Sequence, residues 1–100
     1  MNPSSPLAEV GDRLRQELPR LRARYQVESL ALFGSRVRGE ESVDSDLDVL
    51  VAFLEVPGLL KFIELENYLS DLLGVRVDLV MKDALKPRVS ERVLREAVAV

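Results

Sequence analysis

Leu7, Val10, Leu14, Leu18, Leu21 and Tyr25 recur at spacings of three and four. That rhythm lays them along one face of a helix. Ser4-Ser5-Pro6 supplies the start, with serine as cap and proline in the first turn. Pro19 interrupts the pattern. It has no N–H to donate, so a kink or break is expected near Leu18. The rhythm then changes. Val27 to Phe33 (VESLALF) is short and apolar and ends at a glycine, which reads as a strand buried on both faces. Gly34 to Ser45 is polar with two glycines and reads as a loop, or a loop with a helical turn. Leu47 to Phe53 (LDVLVAF) is a second strand, and Pro57-Gly58 a turn. Leu59, Phe62, Ile63, Leu65, Leu69, Leu72 and Leu73 form a second amphipathic helix. Gly74 stands where a left-handed cap ends such a helix. Val75 to Met81 (VRVDLVM) alternates cleanly as a third strand, and Pro87 opens a last helix carrying Val89, Val93, Leu94 and Ala97.

This alternation predicts an α/β (α+β) fold: a small sheet of three or more strands with helices on at least one face. One hundred residues suit a single domain over 1–100. Composition narrows the chemistry. No cysteine is present, which removes disulfides and thiolate zinc sites and points to a reducing, cytoplasmic setting. No histidine is present either, so catalysis must run on carboxylates, hydroxyls, arginines and a hard metal. The net charge of −3 argues against direct nucleic-acid binding. Arg13, Arg15, Arg20, Arg22 and Arg24 crowd the first helix, and a solvated face is the preferred account of them. No apolar run reaches the length of a membrane span.

Three pieces of sequence carry chemistry. Asp46 and Asp48 stand two apart at the start of a strand, so their side chains share a face while Leu47, Val49, Val51 and Phe53 take the other. In the third strand Asp78 opposes Val75, Val77, Leu79 and Met81 in the same way. If the strands are neighbours, the three carboxylates share one face. Two carboxylates ~4 Å apart repel by roughly 4 kcal/mol at an effective dielectric of 20. A divalent cation reverses that sign. Oxygen-only ligands select Mg²⁺, with Mn²⁺ as the alternative. Two such ions about 4 Å apart suit an in-line phosphoryl-type displacement. Upstream, Gly34 lets the backbone approach a phosphate at positive φ. Ser35 adds a hydroxyl and an N–H. Arg36 and Arg38 add forked donors. A phosphate cradle followed by a metal-binding pair makes a triphosphate site.

Simpler accounts of these residues compete. Gly34 and Gly39 have P-loop glycine spacing, but Glu40 and Glu41 stand where Lys and Ser or Thr belong. Asp44, Asp46 and Asp48 imitate the start of an EF-hand loop, but its turn position is Val49 rather than glycine. Arg76 shares a face with Asp78, and a plain ion pair between them is the alternative to a catalytic role.

Gly34-Ser35, ten residues, then Asp46-x-Asp48 resembles the defining motif of the polymerase β-like nucleotidyltransferases. FGSRVRG, DSDLDVLV and VDLV resemble the MNT-type minimal members, over about Tyr25 to Val98. The resemblance implies a palm-like mixed sheet backed by helices. It implies that Gly34 and Ser35 hold the triphosphate, that Asp46 and Asp48 bind two Mg²⁺, and that Asp78 is the third carboxylate, which helps activate the acceptor. It further implies transfer of AMP from ATP to a tyrosine of a HEPN-domain toxin, with the chain as antitoxin in a hetero-oligomer. The alternatives are a silent antitoxin that acts by binding, and a small-molecule nucleotidyltransferase.

Overall fold

The computed structural model describes residues 6–34, 46–85 and 87–100, the side chains at 6–8 and 87–90 excepted. In chain order the elements are α1 (Pro6–Tyr25), β1 (Val27–Phe33), β2 (Leu47–Phe53), α2 (Leu59–Leu73), β3 (Val77–Met81), a 3-10 turn (Lys82–Ala84), α3 (Pro87–Glu96) and β4 (Val98–Ala99). The strands form one mixed sheet in the order β3-β2-β1-β4. β1 pairs antiparallel with β2 and β4, and β2 pairs parallel with β3. The parallel pair needs a crossover, and α2 supplies it.

The core lies between the sheet and the α1–α2 layer. Leu14, Leu18, Leu21 and Tyr25 of α1 and Leu65 and Leu69 of α2 bury against Leu30, Leu32, Leu47, Val49, Val51, Val77 and Leu79. The two helices are cross-linked reciprocally. Tyr25 of α1 donates to Glu64 of α2 at 2.7 Å, and Tyr68 of α2 donates to Glu17 of α1 at 2.6 Å. The two rings lie 6.3 Å apart between these bonds. Gly74 ends α2 in the left-handed conformation, φ 70°, with its N–H on the Ser70 carbonyl. Arg13 donates to the Leu72 carbonyl in the same last turn.

Four expectations are corrected. α1 runs unbroken through Pro19. The proline ring faces solvent, and buried Leu14, Leu18 and Leu21 hold the helix on both sides of it. β1 is not buried on both faces, since Glu28 and Ser29 are exposed. A register shift between Val27 and Ser29 resets the alternation, so Val27 and Leu30 both reach the core although they are three apart. The third strand begins at Val77 rather than Val75. Ala97 lies beyond α3, and the chain continues into β4, which pairs with Ala31 and Leu32.

The five α1 arginines are exposed, as a solvated face requires. Each has a partner, some within α1, as Arg15 with Asp12 at 2.8 Å, and some on α2, as Arg24 with Glu64 at 3.7 Å. Among the described residues no helix is long and apolar enough to cross a membrane.

Candidate active site

β1 ends and β2 begins at the same end of the sheet, with Phe33 opposite Asp48. β3 enters at that end too, and its register sets Val77 beside Leu47 and Asp78 beside Asp48. Residues in register on neighbouring strands project to the same face. Asp48 and Asp78 therefore share the face opposite Leu47, Val49 and Val51. Asp46 precedes β2 by one residue, in phase with Asp48. Asp46 and Asp48 are half-buried and Asp78 is exposed.

Gly34 is the point of closest approach. It is buried and has φ +88°, a region that side chains disfavour. A Cβ there would strike the Asp48 carboxylate, whose Cγ would lie 2.9 Å away. The glycine thus does two things. It turns the chain out of β1, and it lets backbone lie directly on a carboxylate.

Register supplies the pairing of Asp48 with Asp78, but a closed nest of three is not preformed. Among the described residues no three His, Cys, Asp or Glu side chains stand close enough to share one ion. The alternative account of Asp78 is not realised, because among the described residues no ion pair joins it to Arg76. Ser35, Arg36 and Arg38 lie outside the described residues.

Two residues that the sequence reading did not single out hold β3 in place. Val77 N–H donates to Ser70 Oγ at 3.0 Å, and Leu79 N–H donates to Glu66 Oε2 at 2.9 Å. Ser70 in turn donates to the Glu66 carbonyl at 3.0 Å. The backbone N–H groups of both residues that flank Asp78 are therefore fixed to α2. Their signal in the sequence is the i, i+4 spacing of Glu66 and Ser70 on one helix face. On the other side of β3, Leu47 N–H donates to the Arg76 carbonyl at 2.9 Å, which locks β3 to the residue between Asp46 and Asp48.

Comparison with known proteins fits this geometry. The nucleotidyltransferase domain family matches residues 12–100. The protein adenylyltransferase MntA of Thermococcus cleftensis is 54% identical over 94 residues, 94% of this chain and 95% of that one. Among solved structures, a candidate minimal nucleotidyltransferase superposes with TM-score 0.77 at 41% identity, covering 100% of both chains. At 20% identity the same fold recurs, with TM-score 0.65 over 90% of this chain and 70% of the other. That second chain belongs to the complex of a tri-AMPylated Shewanella oneidensis HEPN toxin with its MNT antitoxin. A small mixed sheet, a glycine packed on a carboxylate, and aspartates in register on adjacent strands thus coincide with a match across nearly the whole length, and the chain belongs to the nucleotidyltransferase family, in its minimal, MNT-type group.

Proposed function

We propose that this protein transfers AMP from ATP to a tyrosine hydroxyl of a HEPN-domain partner, with Mg²⁺, and acts as the antitoxin of that pair. The carrying observation is the seating of Gly34 on Asp48 with Asp78 in register beside it. The cradle is one that a Cβ would fill, and the donor set is all oxygen, so the residues suit phosphate and a hard cation. Asp46, Asp48 and Asp78 are assigned as the metal-holding carboxylates, with the whole of 1–100 as one catalytic domain. Mg²⁺ supplies charge neutralisation at the phosphates and lowers the pKa of the acceptor hydroxyl.

The residues do the rest. Gly34 brings backbone up to the triphosphate, and Ser35, Arg36 and Arg38 are assigned to the same phosphates. Asp78, the most exposed carboxylate, takes the acceptor side and orients its hydroxyl for in-line attack on the α-phosphate. An O–P bond forms to the acceptor, the bond to pyrophosphate breaks, and the hydroxyl proton leaves to a carboxylate or water. The 54% identity to a protein adenylyltransferase supports a protein acceptor.

The test is to incubate the chain with its HEPN-domain partner, ATP and Mg²⁺, and weigh the partner by mass spectrometry. Addition of AMP units that chelator prevents is the expected result. A partner neutralised with no change in mass overturns the assignment in favour of inhibition by binding alone.

A further inference from the structure

The chain has five aromatic rings, three Phe and two Tyr. Four of them stand in pairs on the core side of the sheet. Tyr25 lies 6.3 Å from Tyr68, and Phe53 lies 6.2 Å from Phe62. The fifth, Phe33, is on the other face. Its partner across β1 and β2 is Asp48, while its neighbour Leu32 pairs with Val49, and both of those are buried in the core. Directly opposed residues project to the same side of a sheet. Phe33 therefore belongs to the carboxylate face. It is half-buried, and it is not among the side chains packed against the core. Among the described residues no other ring and no cation contacts it.

The surroundings of this ring are specific. In the chain it immediately precedes Gly34, the turn at positive φ that packs on the Asp48 carboxylate. Across the strands its Cα stands about 5 Å from that of Asp48. Leu50, the next residue of β2 on this face, is buried although it lies outside the main core. The ring thus stands where a closed apolar floor gives way to carboxylates. A ligand that lies across this boundary is flat and apolar over one part and charged over the next. A nucleoside triphosphate has that form, with its base joined to the α-phosphate through a single ribose. The acceptor does not compete for the ring. It is assigned to Asp78, two strand spacings or about 10 Å from Phe33.

We infer that Phe33 is the platform on which the nucleobase of the bound triphosphate stacks. The inference rests on the reading of the chain as a nucleotidyltransferase and names the residue that holds the nucleoside half of its substrate. Stacking needs only a π face, which every base has, and no hydrogen bond to the base edge. A site with few walls can therefore still grip a nucleoside. With the base over β1 and the phosphates on Gly34, the α-phosphate between them is left open toward β3, where Asp78 presents the acceptor.

The test uses two variants and two ligands. Phe33→Leu keeps apolar bulk and removes the π face. Its binding of a non-hydrolysable ATP analogue and of inorganic tripolyphosphate is measured by calorimetry in Mg²⁺. The analogue is expected to weaken by about tenfold, in the range of one lost base–aromatic stack, and tripolyphosphate to stay within about twofold of wild type. Unchanged analogue affinity overturns the inference. So does a parallel loss of both ligands, which makes Phe33 a packing residue that supports Gly34. Phe33→Trp keeps a ring and gives an independent readout, because the chain has no tryptophan of its own. Its fluorescence is expected to change on addition of the analogue and not of tripolyphosphate. The same response to both ligands, or to neither, overturns the stack. If the analogue stacks but the HEPN-domain partner gains no mass, the platform stands and the assigned reaction falls. If the partner is modified while Phe33→Leu binds the analogue as wild type does, the reaction stands and the platform falls.

Discussion

The two faces of β2 are made from alternate residues of one seven-residue strand, and they obey opposite rules. On one face Leu47, Val49 and Val51 are 1%, 0% and 0% exposed, closed under two helices. On the other, Asp48 is half-buried and Asp46 stands in phase with it. The apolar face gains stability from every methyl group it removes from water. The acidic face gathers like charges where the fold needs none. The contrast shows how a chain this small affords a reactive site: the rigid side of the strand fixes, to within a register, where the reactive side presents its carboxylates.

The largest expected effect breaks the acidic face alone. Asp48→Asn should lower transfer by about 10³-fold or more, on the scale of losing one preorganised electrostatic group, with little change in far-UV circular dichroism. Near-wild-type turnover would remove Asp48 from the site. The neighbouring residue gives the mirror image. Leu47→Ala, on the closed face, should cost about 2–5 kcal/mol of folding stability in chemical denaturation. A loss below 1 kcal/mol would mean the core relaxes around the gap.

Gly34 sits between the two faces, and its substitution mixes the effects. Gly34→Ala should cost about 1–3 kcal/mol for positive φ, plus whatever Asp48 must yield to make room. The double variant Gly34→Ala/Asp48→Ala separates the parts. Removing the carboxylate should recover the second part and leave the first. If the two changes simply add, the close approach is not felt in solution.

The smallest effect concerns the helix layer that closes the apolar face. The Tyr25 hydroxyl holds the Glu64 carboxyl below its ordinary range, helped by Lys61 and Arg24. The Tyr25 phenol is itself pushed up, mainly by burial and then by its bond to Glu64. A depressed Glu64 contributes stability that is present above its unfolded pKa and is lost as pH falls through the folded value. A raised Tyr25 contributes stability present below about pH 10 and lost as pH rises through its folded pKa. Tyr25→Phe should therefore lower the melting temperature slightly at neutral pH, and the gap should narrow at both extremes. A gap independent of pH would assign the Tyr25 effect to ring packing.

Much of this molecule was legible in its residues, and what was not has a common cause. The bounds of β1, β2 and α2 and the Gly74 cap follow from local rules, period and glycine, and the structure has them where those rules put them. The positive φ at Gly34 was legible for the same reason. The bulge after Val27 was not, because it is set by the partner strand. β4 was not, because two residues carry no period and gain strand geometry only by reaching Ala31 and Leu32. Pro19 misled because a helix interior tolerates a missing donor when the gap faces water and the opposite side is packed. At the site, the shared face of Asp46 and Asp48 needed only alternation. That Asp78 falls beside Asp48 needed the parallel register, and that Glu66 and Ser70 hold it there needed the crossover helix in place.

The capture of Val77 and Leu79 N–H groups by α2 has a consequence for how this protein keeps company. β3 is an outer strand of the sheet. An outer strand with unsatisfied donors is a template on which any extended chain can lie, and it invites aggregation. Ser70 and Glu66 fill two of those donor positions with side-chain oxygens from the chain's own helix. An approaching strand meets oxygen where it needs hydrogen, and a carboxylate besides. The bonds that steady Asp78 thus also make this edge selective, closed to indiscriminate backbone pairing.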